Sequence, residues 1–126
     1  MRLLLLASAG GAIGAGARYL VHVGVARLVG TSFPWATLTV NVMGCLLMGV
    51  VVEVLVLRLD GSPELRTFLA AGILGGFTTF SAFALDVVAL ISRHEPVAAV
   101  LYASASVTLS ILGLYLGLVL ARAALV

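Results

Sequence analysis

The chain has 126 residues, 63% of them hydrophobic and 10% charged, with a mean hydropathy of +1.27. A soluble domain is ~45–50% apolar and ~25% charged, so this composition describes an integral membrane protein with nothing left over for a soluble catalytic domain. The net charge of +2 comes from seven scattered arginines, which does not suit nucleic acid, and the single cysteine, Cys45, allows neither an intrachain disulfide nor a thiolate metal cluster.

Four apolar segments follow in order, at about residues 3–28, 35–57, 65–91 and 97–120. Each holds the ~20 residues that cross ~30 Å of hydrocarbon, which predicts an all-α integral membrane bundle of four transmembrane helices and a single domain over 1–126. Met1-Arg2 with Leu3 to Leu6 imitates a secretory signal peptide. Cleavage near Ala15 or Ala17 would leave a three-helix remnant without an exported domain, so the first segment is read as a retained span. Arg18 lies deep within it and His22 one turn further on. An arginine at the centre of a span costs at least ~2.5 kcal/mol on insertion scales. It either snorkels to the nearer surface or supplies positive charge to an aqueous vestibule that concentrates anions; His22 is expected at the interface.

The second segment opens on Trp35, a membrane-belt anchor, and places Thr37 and Asn41 one turn apart on one face. Asparagine in a span is either interhelical glue or an uncharged donor for an anion. Glu53, like Asp86 in the third segment, sits close enough to a segment end to be expected to reach water.

The third segment carries Gly75-Gly76-Phe77-Thr78-Thr79-Phe80-Ser81-Ala82-Phe83. The glycine pair and the β-branched threonine pair disfavour helix at residue 78, halfway between Leu65 and Ile91. That predicts a third helix broken at the bilayer midplane, where freed backbone groups are tolerated only if they are buried, line a cavity or bind an ion. An antiparallel pair would bring two breaks together, and their carbonyls would suit a monovalent cation. Phe80 and Phe83 share a helix face, directed either to lipid or, through their positive ring edges, to a small anion. No phosphate loop is present, because the Gly-Lys-Ser/Thr ending is missing.

The fourth segment sets Tyr102, Ser106 and Ser110 at i, i+4 and i+8, a polar line that either bonds to its own carbonyls or, with Ser81 facing it, forms a track of hydroxyl donors. Connections are short, and Pro34, Pro63 and Pro96 fall at span starts. Gly10 and Gly14, Gly72 and Gly76, and Gly113 and Gly117 form small-xxx-small pairs for tight helix packing. Arg2, Arg58, Arg66 and Arg122 fall on one side and Arg27 and Arg93 on the other. This weak bias is compatible with one orientation or with two.

These motifs resemble the Fluc (CrcB) fluoride channel family, and the resemblance covers essentially the whole chain. Gly10 to Tyr19 resembles Gly-Gly-x-x-Gly-Ala-x-x-Arg-Tyr; Asn41, Gly44 and Gly49 keep the family spacing; the Gly75 to Phe83 stretch is the most specific match; Tyr102, Ser106 and Ser110 supply the fourth. The resemblance implies an antiparallel dual-topology homodimer in a bacterial inner membrane, with two fluoride pores and a central structural sodium ion held by the backbone carbonyls of Gly75 and Thr78. It further implies that Phe80 and Phe83 line the pores, that Asn41 donates to the ion, that Ser81, Tyr102, Ser106 and Ser110 form the polar track, and that Arg18 is the first-span arginine. Ala82 stands where many members have threonine and Leu46 where many have phenylalanine. Two other readings fit a short four-span protein: a dual-topology multidrug transporter, which needs an interior acid that the first span lacks, and a non-transporting membrane subunit.

Overall fold

The computed structural model covers residues 1–126 and is built from helices alone. Helices α1 (Arg2–Val29), α2 (Trp35–Arg58) and α5 (Pro96–Leu125) are continuous, whereas the third apolar segment consists of α3 (63–77) and α4 (Phe80–Ser92). Four stretches are long and apolar enough to cross a membrane, the third of them Pro63–Ser92. The last runs on to Leu125, a few residues past the limit read from hydropathy.

Pro63 and Pro96 sit in the first turns of α3 and α5, where a missing N–H leaves no bond unmade. Asp60 and Gly61, both with positive φ, reverse the chain between α2 and α3.

The bundle is organised as two close pairs, α1 against α3 and α2 against α5. Lipid gives helices no hydrophobic reason to associate, so backbone approach and van der Waals contact must hold them. A Cβ on Gly14 would strike the Ile73 carbonyl oxygen, and one on Gly76 would come within 2.6 Å of the Gly11 oxygen. Across the second pair, Gly49 faces the Leu114 carbonyl and Gly117 the Leu46 carbonyl with no room for a methyl group. The expected glycine pairs are thus the helix contacts themselves. Opposite α1, residues Thr67–Leu74 of α3 are wound as a π-helix, a wide turn that recurs near functional sites.

Only 20 of the 126 residues are buried, and the largest fully buried side chains are Tyr102, Leu90 and Val40. Large apolar side chains cover the outside, as a lipid-facing surface requires. Most charged groups gather at the ends, Arg18 and Asp86 being the exceptions. Arg2 pairs with Glu64 at 3.7 Å, Arg58 Nη2 donates to the Leu125 carbonyl at 2.9 Å, and Arg122 Nε reaches Glu53 Oε1 at 2.6 Å. At the other end Arg93 Nη2 donates to Ser32 O at 2.8 Å. Glu53 differs from the expectation that it reaches water: it is 5% exposed, because α5 extends far enough to cover it and bring Arg122 alongside.

Candidate functional site: a groove at the interrupted span

In a continuous helix the Thr79 N–H would bond to the Gly75 carbonyl. Here Thr78 and Thr79 are extended, with ψ of 157° and 122°. The Thr79 N–H donates to Asn41 Oδ1 at 2.8 Å, and Asn41 Nδ2 donates to the Thr79 carbonyl at 2.9 Å. One α2 side chain therefore replaces both bonds that Thr79 would have made in a helix. Thr79 also caps α4, its hydroxyl accepting from the Ala82 N–H at 3.2 Å. On the other side, the Thr78 hydroxyl and N–H both donate to the Leu74 carbonyl, at 2.9 and 3.0 Å. Arg18 Nη1 approaches the Thr78 carbonyl at 3.4 Å. Gly44, on the same face of α2 as Asn41, leaves room for the Thr78 methyl group. The backbone thus departs from helix where side chains of α1 and α2 take up its polar groups.

Against this interruption lies an open-sided groove of about 380 Å³. Of the residues singled out from sequence, Asn41, Phe80, Phe83, Ser106 and Ser110 line it, together with Gly75 and Thr78. Cys45, Thr79 and Val107 complete the wall. The Phe80 and Phe83 rings sit 5.4 Å apart at 53°, and Phe80 is 78% exposed. No charged side chain lines the groove. Ser106 is 5% exposed, and its buried hydroxyl lies beside that of Tyr102 without forming a well-aligned hydrogen bond. Asn41 Nδ2 has two protons, one of which is held by Thr79, so one remains. Neutral donors and two phenyl rings border this space, with no carboxylate to repel an anion.

Three further sequence candidates lie outside this wall. Ser81 is exposed and its hydroxyl meets Thr79 Oγ1 at 3.3 Å. Tyr102 is fully buried; it donates to Asp86 Oδ2 at 2.9 Å and packs on Phe83 and Phe33, with ring centroids 5.4 and 5.5 Å away. Arg18 lines a separate shallow groove with Tyr19, His22 and Ala82.

A second cavity of about 340 Å³ is lined by His22, Thr37, Asp86 and Arg93 among others. Its position follows from helix order. Thr37 precedes Asn41 by a turn on α2, Asp86 follows Phe83 by a turn on α4, and Tyr102 precedes Ser106 by a turn on α5. The Phe83–Tyr102 pair therefore stands between the two spaces. Sequence reasoning did not single out Cys45 as a wall residue, although its i+4 spacing from Asn41 is a usable signal. It also read Asp86 as merely reaching water.

A sequence model of the family described as "CrcB-like protein, Camphor Resistance (CrcB)" matches residues 5–118. A protein of Rhodospirillum centenum named fluoride-specific ion channel FluC is 50% identical over 124 residues, 98% of each chain. Proteins of the same name are 53% identical over 122 residues in Chelativorans sp., covering 97% of this chain and 98% of that one, and 50% identical over 119 residues in Rhizobium etli, covering 94% and 95%.

Proposed function

This chain belongs to the CrcB-like family, whose members are channels and not enzymes, and we propose that it is a fluoride-selective passive channel of the inner membrane that lets cytoplasmic fluoride leave down its gradient. The observation that carries this reading is the groove against the interrupted span, whose wall holds Asn41, Phe80, Phe83, Ser106 and Ser110 and no charged side chain. Fluoride holds its water tightly, so its route must offer substitute donors without binding it fast. The spare Asn41 proton, the Ser106 and Ser110 hydroxyls and the phenyl edges meet that need with no fixed charge. Arg18, at the edge of the interruption, would raise the local anion concentration. Beyond Phe83 and Tyr102, the second cavity offers the route a continuation.

The functional unit is an antiparallel, dual-topology homodimer. Gly75 and Phe80 are exposed at the interruption, and the Gly75 carbonyl has lost its helical donor to Asn41. Lipid cannot supply that donor, so another protein surface must cover it. Two oppositely inserted copies bring two interruptions together and leave one pore along each. The Gly75 carbonyl, freed and exposed, fits a hard monovalent cation. The Thr78 carbonyl meets Arg18 only at 3.4 Å, beyond the usual 2.7–3.2 Å, and keeps a lone pair. These carbonyls would hold a structural sodium ion, which supplies positive charge that ties the two copies together.

The test is reconstitution of the purified dimer in liposomes, with a fluoride electrode following efflux and chloride as comparison. Absence of fluoride flux from an intact dimer rejects the reading. A proton-coupled multidrug transporter would need a free interior acid, whereas Glu53 is tied to Arg122 and Asp86 accepts from Tyr102.

A further inference from the structure

His22 lines both the shallow groove beside Arg18 and the second cavity beside Thr37. Its Nδ1 lies 3.0 Å from the Arg18 carbonyl oxygen and its Nε2 3.3 Å from Thr37 Oγ1. A carbonyl can only accept, so in this geometry Nδ1 carries the proton. In the neutral ring Nε2 is then a bare acceptor, and the Thr37 hydroxyl points its proton there. A second proton taken from solution onto Nε2 reverses that bond. The ring donates, Thr37 Oγ1 accepts, and the Thr37 O–H is released. Thr37 is 3% exposed and forms part of the second cavity's wall, one turn from Asn41.

We infer that His22 is a positioning residue: its protonation decides whether the Thr37 hydroxyl is committed to the imidazole or free to donate to an anion in the second cavity. This rests on the fluoride-channel reading and makes conduction proton-sensitive from within the protein. The charged groups that line the same two spaces as His22 are Arg18 from α1, Asp86 from α4 and Arg93 just past the end of α4. α2 contributes only the Thr37 hydroxyl, and α5 contributes Tyr102, whose proton is given to Asp86 and whose oxygen also lies beside the Thr37 hydroxyl, so an anion must compete with it for the released proton. The added proton comes from solution, so acidification reads the switch.

The experiment measures fluoride efflux from liposomes between pH 8 and 6, subtracting protein-free liposomes to remove leakage of hydrogen fluoride. Wild-type flux is expected to rise about two- to tenfold on acidification, the effect of one added neutral hydrogen-bond donor. His22→Gln and Thr37→Val should flatten the profile, while His94→Gln, at the exposed α4–α5 connection, should keep it. A wild-type profile surviving in His22→Gln overturns the inference. Survival in Thr37→Val overturns it too, since charge alone would then explain the effect. Should either variant fail to fold, imidazole nitrogen NMR of the wild-type protein decides: a proton on Nδ1 at pH 8 supports the switch, and one on Nε2 refutes it. Flux absent at every pH refutes the channel reading itself, a different outcome from flux that ignores pH.

Discussion

Asn41→Ala is the sharpest test of how the interruption is held. The substitution removes two hydrogen bonds, of 2.8 and 2.9 Å, and leaves the N–H and C=O of Thr79 without partners in a residue only 8% exposed. Each unsatisfied buried backbone group costs about 1–3 kcal/mol, so the pair costs about 2–6 kcal/mol. Folded proteins have a total margin of about 5–15 kcal/mol, which makes this a large fraction of it. Water drawn into the adjoining groove would bring the loss toward the lower figure. Reversible unfolding in mixed micelles reads the stability, and hydrogen exchange reads the Thr79 amide directly. Asn41→Asp separates the two halves of the clamp, because a carboxylate still accepts from the Thr79 N–H but cannot donate to its carbonyl. It should protect the Thr79 amide while nearly abolishing fluoride flux, since a negative charge then faces the groove. An Asn41→Ala protein with wild-type stability and a protected Thr79 amide would refute the account of the interruption given above.

Other expectations follow from the same geometry. Ser106→Ala should lower fluoride flux about two- to tenfold yet leave unfolding nearly unchanged, because the hydroxyl has no well-aligned hydrogen bond to lose; a marked destabilisation would show that its contact with Tyr102 is a working bond. Phe80→Ile and Phe83→Ile should each abolish or greatly reduce flux while the proposed dimer persists on size exclusion, and unchanged transport in both would remove the rings from the route. Gly14→Ala should destabilise the bundle by about 1–3 kcal/mol, the usual penalty of overpacking, because its methyl group meets the Ile73 carbonyl. Gly16→Ala, which meets nothing within 4 Å, should be neutral by the same unfolding assay.

The spans were legible because hydropathy alone specifies them, and the helix contacts because glycines four apart have few other uses in a membrane. The interruption was legible in the Gly75-Gly76 and Thr78-Thr79 pairs, which oppose helix locally. What satisfies it was not. Asn41 and Thr79 are 38 residues apart, and spacing along one helix marks a polar face without naming its partner. The same blindness misplaced Glu53, whose Arg122 partner lies 69 residues away and meets it only because α5 outlasts its hydrophobic run. Tyr102 fits the serine periodicity of its helix, but its length carries the hydroxyl past the groove to Asp86. Periodicity fixes where a side chain starts and says little about where its tip ends.

The π-wound stretch of α3 has a mechanical consequence. Each of its residues sweeps a smaller angle than a residue of an ordinary helix, so over the eight residues Thr67–Leu74 the chain falls behind in phase. That lag aims Gly75 and everything after it, much as a shim sets the bearing of a shaft. Removing a single residue there, and letting the coil tighten, would barely alter how far the segment reaches across the membrane. It would also largely keep the phase, because the tighter winding of the seven remaining residues makes up most of the ~100° lost with the deleted one, whereas a deletion without rewinding would swing Gly75 around the axis and away from Asn41.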